Sequence, residues 1–182
     1  TARILAEQKS KLPNNVDFVF YSLEEPPFYK TEQMGSYVHA KSVQSQKDKI
    51  KGVYILEMIG FFSEQPIQSY PVGLKWIYPT HGNFIATVSN VSSRDLGAGY
   101  CTAMQQLDLL ECQRLVAPSF ANAFDFSDHL NYWEFDIPAV MITDTAFYRN
   151  GHYHTKADRL ATLNLTKMAN VIDGLVQHLL KP

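Results

Sequence analysis

Two adjacent glutamates, Glu24 and Glu25, are the residues whose type and position point most directly to chemistry. They follow the apolar run 16–22, which reads as a buried strand, and precede two prolines that stop both strand pairing and helix formation. We therefore expect both acids where a strand gives way to a loop. Because like charges repel, a nearby cation is the natural way to keep both ionised, so one carboxylate could bind a metal while the other handles a proton. An exposed acidic loop is the alternative interpretation.

Further acids and histidines lie at the ends of other predicted strands. Glu57 lies near the end of the apolar run 51–59, Asp144 follows the run 137–143, and His154 lies ten residues further on. In sheets with parallel strands, working groups collect on loops at the carboxyl ends of the strands. Zinc takes carboxylate oxygen and imidazole nitrogen ligands, and a neighbouring carboxylate can take the proton of the attacking water. These residues are therefore candidates for a hydrolytic metal site.

The elements that must position these residues alternate along the chain. Apolar periodicity predicts helices at 2–12, 35–46, 96–110 and 165–180, and strands at 16–22, 51–59, 83–88, 115–118 and 137–143. The proline-, glycine- and aromatic-rich stretch 61–82 is predicted to be a long surface loop, a kind of segment that is often functional. Nearly all-apolar strands that alternate with helices indicate an α/β fold, with a parallel or mixed sheet covered on both faces.

Composition limits the remaining possibilities. A chain of 182 residues with 46% hydrophobic content predicts a single domain over 1–182 with a sizeable core. The net charge of −2 argues against a general attraction to nucleic acid or an anionic membrane, and no stretch is apolar enough to span a bilayer. Cys101 and Cys112 are expected to be buried thiols rather than a bridge. Because the chain opens on Thr1 and enters a helix-like segment at once, we expect it to be truncated at its N-terminus.

A set of short motifs carries a family resemblance, since they occur in order from about residue 16 to residue 180. They are Leu23-Glu24-Glu25, Met34-Gly35-Ser36, Leu56-Glu57-Met58-Ile59-Gly60, Gly82-Asn83-Phe84, Ser127-Asp128-His129, Ile137-Pro138-Ala139-Val140-Met141, Thr143-Asp144-Thr145-Ala146 and Tyr153-His154-Thr155. In these the chain resembles the two-zinc exopeptidases, a family that includes bacterial leucyl aminopeptidases, glutamate carboxypeptidase-like proteins and glutaminyl cyclases. The resemblance implies a three-layer α/β/α sandwich with a mostly parallel central sheet.

The resemblance also implies roles at matching positions. Glu24 matches the general base, while Glu25 and His154 match ligands of one zinc ion. Glu57 stands where the family usually has an aspartate ligand of the other zinc ion. Asp128 and His129 match a motif that borders the site.

Two further residues are pocket candidates from their chemistry alone. Arg149, together with Tyr153, could hold a substrate carboxylate or carbonyl, since the arginine fork fits carboxylates. For Arg149 an ordinary ion pair with Asp144 or Asp158 is an equally good interpretation.

One departure from the family pattern bears on activity. The family's His-x-Asp motif and its bridging aspartate lie upstream of the first helix, and neither is present in this chain. Two ligands without the bridge bind zinc weakly, because zinc prefers three or more protein ligands. We therefore expect this chain alone to be a weak enzyme, although the intact family site holds up to two zinc ions.

The sequence thus predicts a zinc-dependent exopeptidase, aminopeptidase-like, which acts on a peptide substrate. Glutaminyl cyclisation on the same scaffold and a non-catalytic, metal-free interaction domain are the two alternatives. An exposed sheet edge is also predicted to allow self-association between copies of the chain.

Overall fold

The computed structural model describes residues 1–71, 73–117 and 126–181 of the chain. Within these residues four strands form one sheet: β1 (Val53–Leu56), β2 (Phe84–Ser89), β3 (Glu111–Val116) and β4 (Ala139–Thr143). The same residues form five α-helices: α1 (Ala2–Glu7), α2 (Gly35–Val43), α3 (Arg94–Leu107), α4 (His129–Glu134) and α5 (Leu165–Leu179). Short 3-10 turns lie at Lys9–Lys11, Gln44–Lys49, Leu74–Trp76, Ala146–Tyr148 and Leu160–Thr162. The predicted strand 115–118 coincides with the end of β3, although Pro118 lies outside the described residues.

The sheet has the strand order β1-β4-β2-β3, which brings the candidate site residues to one edge. Strands β1 and β4 pair in parallel, as do β2 and β3, whereas β2 and β4 are antiparallel. The carboxyl ends of β1 and β4 therefore lie beside the amino end of β2. Glu57 follows β1, Asp144 follows β4 and Asn83 precedes β2, so all three lie at this edge.

Two apolar clusters cover the two faces of the sheet and make the fold a three-layer α/β/α arrangement. On one face, Ile85 and Ile142 pack with residues of α3 and α5 such as Tyr100 and Val171. On the other face, Ile55 and Ala139 pack with residues of α2 and α4 that include Ala40 and Tyr132. Burial of apolar surface in both layers provides most of the stabilisation, at roughly 25 cal/mol per Å². The predicted α/β fold with a mostly parallel sheet is confirmed.

Helix α5 is the longest of the described helices at 15 residues, and it closes the domain against α3. Its N-terminus is capped by the Asn164 side chain, which accepts a 3.0 Å hydrogen bond from the Lys167 backbone N–H. A Cβ atom at Gly174 would lie 1.9 Å from Met104 Sδ, so any larger residue there would force the Met104 side chain of α3 to move. Within the described residues, none of the helices is long and apolar enough to cross a membrane.

The prediction of a buried strand at 16–22 is wrong. These residues belong to none of the strands, and Phe18 and Phe20 are 45% and 93% exposed. The backbone contact with α2 is a 2.8 Å hydrogen bond from Gly35 N–H to the Ser22 carbonyl. An apolar run becomes a strand only when another strand offers it a ladder of hydrogen bonds. Among the described residues no strand pairs with the outer side of β1, so the run has no such neighbour.

The expectation of two unpaired cysteines is also wrong, because Cys101 and Cys112 form a disulfide bond. Helix α3 ends at Leu107, and the left-handed conformation of the next residue, Asp108, turns the chain back into β3. Strand β3 then lies against the helix that precedes it, and the two Cα atoms are 5.3 Å apart, a separation suited to a disulfide. Disulfides persist mainly in oxidising compartments.

Candidate active site

Glutamate side chains from different parts of the chain meet at the carboxyl edge of β1. Glu24 and Glu25 come from the segment that precedes α2, and Glu57 follows β1 directly. All three line a single cavity together with Tyr153 and His154. The structure therefore brings together five of the residues that the sequence singled out. We call Glu24, Glu25, Glu57 and His154 the acidic rim of this cavity.

The carboxyl groups of the acidic rim and its surroundings influence one another electrostatically. Burial raises the pKa of Glu24 to about 7, and the negative charges of Glu57, Glu25 and Asp128 act in the same direction. Burial also raises the pKa of Glu57, although the hydrogen bond from Ser127 opposes this shift. Like charges in a partly desolvated site favour the protonated form of at least one member. Glu24 can thus hold and release a proton near neutral pH.

Small polar side chains fix the carboxylates that border the site. Ser127 Oγ donates a 2.9 Å hydrogen bond to Glu57 Oε2. The Asp128 carboxylate accepts a hydrogen bond from Ser36 in α2, and Asn131 Nδ2 in turn donates to Ser36 Oγ at 2.7 Å. Sequence reasoning assigned no role to Ser36 or Asn131. Both lie in short helices without a regular apolar pattern, so their contacts could be found only from the packing of α2 against α4.

His154 and Glu25 form a direct contact across the cavity mouth. His154 Nε2 lies 3.1 Å from Glu25 Oε1, and both side chains are more than half exposed. The Tyr153 ring stacks on the His154 imidazole with 3.9 Å between the ring centroids. The imidazole is thereby oriented towards the carboxylate. Sequence separation between the two partners is 129 residues, so the chain topology alone creates this pair.

These side chains meet the requirements of a zinc site only in part. Glu25 and His154 offer two donor atoms of the types that zinc prefers, at the spacing of neighbouring ligands. Across residues 1–71, 73–117 and 126–181, however, no three His, Cys, Asp or Glu side chains are grouped so that they could hold a metal ion. The described residues therefore do not make a zinc site on their own, and they offer at most part of one.

Three of the predicted site residues do not line the cavity. Asp128 borders it as described above, and His129 is fully buried with its ring 4.6 Å from that of Trp133. Arg149 is 3% exposed and points into the protein, where it contacts backbone carbonyls. The Asp144 carboxylate is likewise buried, and it accepts backbone hydrogen bonds.

Behind the acidic rim, the cavity continues over the sheet face that α2 and α4 leave uncovered, and it has a volume of about 260 Å³. Its floor is formed by alternate residues of three strands: Ala86, Val88, Gln113, Leu115, Met141 and Thr143. Its walls are mainly aromatic and aliphatic: Tyr70, Leu74, Tyr78, Phe84, Phe126, Phe147 and Tyr148. We call this floor and these walls the apolar subsite. Part of the wall comes from the predicted long loop 61–82, which we call the aromatic loop.

Backbone strain is concentrated around the site. Among the described residues, eight that are not glycine have positive φ angles. Five of the eight lie at, or within two positions of, a carboxylate or histidine at this edge of the sheet: Leu23 (φ 60°), Met58 (48°), Thr145 (80°), Ala146 (46°) and His154 (57°). Such conformations cost about 1–3 kcal/mol each and occur preferentially where the chain must aim functional groups. The sequence gives little signal of this feature, since four of the five are residue types that seldom adopt left-handed conformations and only His154 is of a type enriched there.

Comparison with known proteins gives the class to which this fold and site correspond. The model described as Peptidase family M28 matches residues 1–179, and the chain belongs to this family. The family resemblance predicted from the motifs is thereby confirmed. One relative is the uncharacterized protein YfbL of Escherichia coli K12, which is 43% identical over 177 residues. That alignment covers 96% of this chain and 53% of the relative, so the chain spans about half of the relative's length.

Solved aminopeptidase structures are similar in fold. The LapA aminopeptidase of Legionella pneumophila matches with a TM-score of 0.55 and 21% identity, over 79% of this chain and 34% of LapA. An aminopeptidase from Aneurinibacillus sp. strain AM-1 matches with a TM-score of 0.50 and 16% identity, over 80% of this chain and 29% of that protein. At these identities the likeness concerns the fold alone.

Proposed function

We propose that this chain carries the substrate-binding part of an aminopeptidase that removes large apolar residues from the N-termini of peptides. The observation that supports this most directly is one cavity with an acidic rim at its mouth and an apolar interior. A peptide's N-terminal residue has the matching features, a positively charged amino group beside a side chain. The cavity would receive the side chain while the rim faces the amino group.

The charge of the rim favours the amino end of a peptide over the carboxyl end. Among the described residues that line the cavity, three are glutamates and none is a lysine or arginine. A terminal carboxylate would be repelled there, whereas an ammonium group would be attracted. The arginine that could have bound a carboxylate, Arg149, is buried away from the cavity. A carboxypeptidase is therefore the less favoured type of exopeptidase.

The whole cavity, which includes the acidic rim, has a volume of about 260 Å³. The apolar subsite is the part of this volume behind the rim, a space suited to a single side chain. Burial of a leucine or phenylalanine side chain contributes about 1.5–3 kcal/mol relative to exposure. That difference corresponds to a preference of roughly 10- to 150-fold over an N-terminal glycine.

In this proposal Glu24 is the general base. Its carboxylate takes a proton from the water that attacks the carbonyl carbon of the first peptide bond. It then gives that proton to the departing amine as the C–N bond breaks, so its starting state is restored. Half-burial and the neighbouring carboxylates, which raise its pKa to about 7, support a group able to perform both transfers.

Zinc dependence is part of the proposal for the full-length protein. Glu25 and His154 would hold one side of the ion, and residues other than those described here would complete its ligands. Bound zinc would supply a positive charge that activates water and polarises a carbonyl group. Glu57 is the further donor that the family pattern points to, and Ser127 holds its carboxylate in place.

A panel of N-terminal substrates tests this function in the full-length protein. We expect hydrolysis of leucyl and phenylalanyl amides, weaker hydrolysis of alanyl amide, and no hydrolysis of N-acetylated leucyl amide. A peptide with N-terminal glutamine belongs in the panel, because its cyclisation would indicate the glutaminyl cyclase alternative. Cleavage of acetylated substrates, or release of C-terminal residues, would contradict an aminopeptidase.

One observation favours a second candidate, a binding domain without catalysis. Among the described residues, the donors near the cavity mouth do not reach the three ligands that a zinc site needs. If the full-length protein binds no zinc and cleaves none of the panel, but binds peptides with apolar N-terminal residues, this second function is the correct one.

A further inference from the structure

Arg149 is a buried cation that lies next to the cavity without lining it. Its guanidinium Nε donates a 2.8 Å hydrogen bond to Gln68 Oε1. Nη1 donates to the carbonyl oxygens of Phe84 and Phe61, at 2.9 and 3.2 Å. The guanidinium carbon also lies 4.4 Å from the centre of the Phe84 ring, a cation–π contact. One side chain thus joins three separate points of the structure.

Burial of the Arg149 guanidinium costs desolvation free energy that an apolar side chain at the same position would not cost. Burial lowers the pKa of Arg149 to about 10, and Nη2 has no hydrogen-bond partner among the described residues. Well-packed apolar side chains usually stabilise a core at least as well as a buried charge. Stability is therefore a weak explanation for an arginine here, whereas the fixed fork of its donors can define a geometry.

The three partners of Arg149 belong to the cavity or to the segment that builds its wall. Phe61 begins the aromatic loop, and Gln68 and Phe84 both line the cavity. The Phe61 peptide is held on both sides, because its N–H donates to Asp144 Oδ2 at 2.7 Å while its carbonyl accepts from Arg149. The entry of the aromatic loop is thus fixed between two buried groups of opposite charge.

The contact with Gln68 also determines which way that side chain faces. Because Gln68 Oε1 accepts from Arg149, its amide Nε2 is left to donate, and it does so to Thr145 Oγ1 at 2.9 Å. The next residue, Ser69, donates its backbone N–H to the Tyr148 carbonyl at 2.7 Å. Tyr148 and Thr145 line the cavity too. The network therefore connects two walls of the apolar subsite through one arginine.

We propose that Arg149 is a positioning residue that sets the shape of the apolar subsite and thereby determines which N-terminal side chains are selected. The proposal rests on the proposed function for the identity of the ligand. Arg149 does not touch the substrate. It holds the aromatic loop against β2 so that Gln68 and Phe84 keep their places around the bound side chain.

Two substitutions disturb this network in different ways. Arg149→Lys keeps the charge but cannot reproduce three directed hydrogen bonds from a planar group. Gly82→Ala keeps arginine at position 149, but a Cβ atom at position 82 would lie 2.7 Å from Arg149 Cδ and would displace the arginine side chain. Arg159→Lys is the matched control, since Arg159 is exposed and lies far along the chain from the aromatic loop.

The test is NMR titration of the 182-residue chain with simple probes that need no catalysis. The probes are 2-phenylethylamine and ethylamine, which share an ammonium group, and 3-phenylpropionate and propionate, which carry the opposite charge. We expect the wild-type chain and Arg159→Lys to bind 2-phenylethylamine at least tenfold more tightly than ethylamine. We expect Arg149→Lys and Gly82→Ala to lose most of this ratio through weaker binding of the phenyl compound, with ethylamine affinity unchanged.

The outcomes test the positioning role of Arg149 separately from the proposed recognition of a peptide's amino end. An unchanged ratio in Arg149→Lys and Gly82→Ala proteins that are folded by circular dichroism would overturn the positioning role. If 3-phenylpropionate binds as tightly as 2-phenylethylamine, recognition of the amino end is wrong, while the phenyl-to-alkyl ratio of the acids still tests Arg149. In the full-length protein, Arg149→Lys should raise KM for phenylalanyl amide by a larger factor than KM for alanyl amide. A lower kcat for both substrates would indicate a merely structural role and count against the proposal.

Discussion

The apolar subsite is held by a buried network of hydrogen bonds, whereas the acidic rim at the cavity mouth rests on fewer and more exposed contacts. Arg149 and Asp144, which fix the aromatic loop, are 3% and 1% exposed. In the rim, Glu25 and His154 contact each other while more than half of each side chain remains in solvent. The chain thus contains a formed apolar pocket, but the described residues supply at most part of a metal site.

This difference indicates which steps the described residues can perform. Binding of an apolar side chain needs only the walls and floor of the subsite, and these are present. Hydrolysis needs positive charge near the carbonyl group, and the described rim offers carboxylates and one histidine. Recognition and chemistry are therefore expected to be separable by experiment.

Removal of the proposed general base should have the largest effect and should leave the apolar subsite intact. In the full-length protein, Glu24→Gln is expected to lower turnover of leucyl amide by about 10²–10⁴-fold, because the proton of the attacking water loses its acceptor. Zinc content and the ratio of 2-phenylethylamine to ethylamine affinity should be unchanged, since neither depends on the proton acceptor. Exposed Glu7→Gln serves as the control. Loss of zinc in Glu24→Gln would show that the roles of base and ligand are wrongly assigned.

Removal of the disulfide should affect the floor of the apolar subsite more than the rim. Cys112 belongs to β3, which also contributes Gln113 and Leu115 to the cavity. For a sequence separation of 11 residues, substitution of both cysteines by serine should lower the free energy of unfolding by about 3 kcal/mol. Urea denaturation of the two proteins measures this difference. Equal midpoints for the serine variant and the oxidised wild type would contradict it.

The buried carboxylate that fixes the aromatic loop gives a pH-dependent prediction. Burial raises the pKa of Asp144 to about 6. Its three backbone hydrogen bonds and the nearby Arg149 cation act in the opposite direction, towards a lower pKa. Glu57 is the neighbouring carboxylate, and the two groups repel each other when both are ionised. Because the folded pKa is above the unfolded value, the stability from this group is fully present below about pH 4 and is lost as the pH rises to about 6. Asp144→Asn should remove this dependence and cost about 1–3 kcal/mol at pH 4, where one N–H loses its acceptor.

Urea denaturation of the wild type and Asp144→Asn at pH 4, 5, 6 and 7 measures this prediction. The stability difference between the two proteins should be largest at pH 4 and should shrink towards pH 7. A difference that grows with pH would mean that Asp144 is stabilised in its charged form, and the assigned direction of its pKa shift would be wrong.

A substitution in the exposed apolar run 16–22 should have the smallest effect on the free energy of unfolding. Phe20 is 93% exposed, so Phe20→Ser should change the free energy of unfolding by less than about 0.5 kcal/mol. The same substitution should weaken self-association, which the sequence predicts for a chain with an exposed sheet edge. Light scattering over a range of protein concentrations measures the average mass of the wild type and of Phe20→Ser. A wild-type mass equal to that of the monomer at every concentration would remove the prediction.

Much of the fold could be predicted because its signals are local. The apolar runs predicted β1, β2 and β4, and the amphipathic pattern predicted α5. The structure contains all four elements. The positions of Glu57 and Asp144 could be predicted because acids at the carboxyl ends of parallel strands converge, whereas Glu24 and Glu25 reach the cavity from a segment that is not a strand. The run 16–22 carries an equally strong local signal and failed, since a strand also needs a neighbour.

The remaining features depend on distances that no pattern encodes. The Cys101–Cys112 bond requires β3 to return along α3, and the left-handed turn at Asp108 that produces this return has no glycine to signal it. Arg149 was a candidate to bind substrate, but its direction is set by carbonyl groups that only the folded aromatic loop brings together. Long-range hydrogen bonds of this kind decide what a polar residue does.

The amount of zinc bound per chain decides whether the described residues form a metal site, and elemental analysis of the 182-residue chain after exhaustive dialysis against zinc-free buffer gives this amount. We expect a value near zero, because Glu25 and His154 alone are too few ligands. Retention of one or two zinc ions per chain would contradict this expectation, and would show that the rim forms a complete metal site within this chain or between two copies.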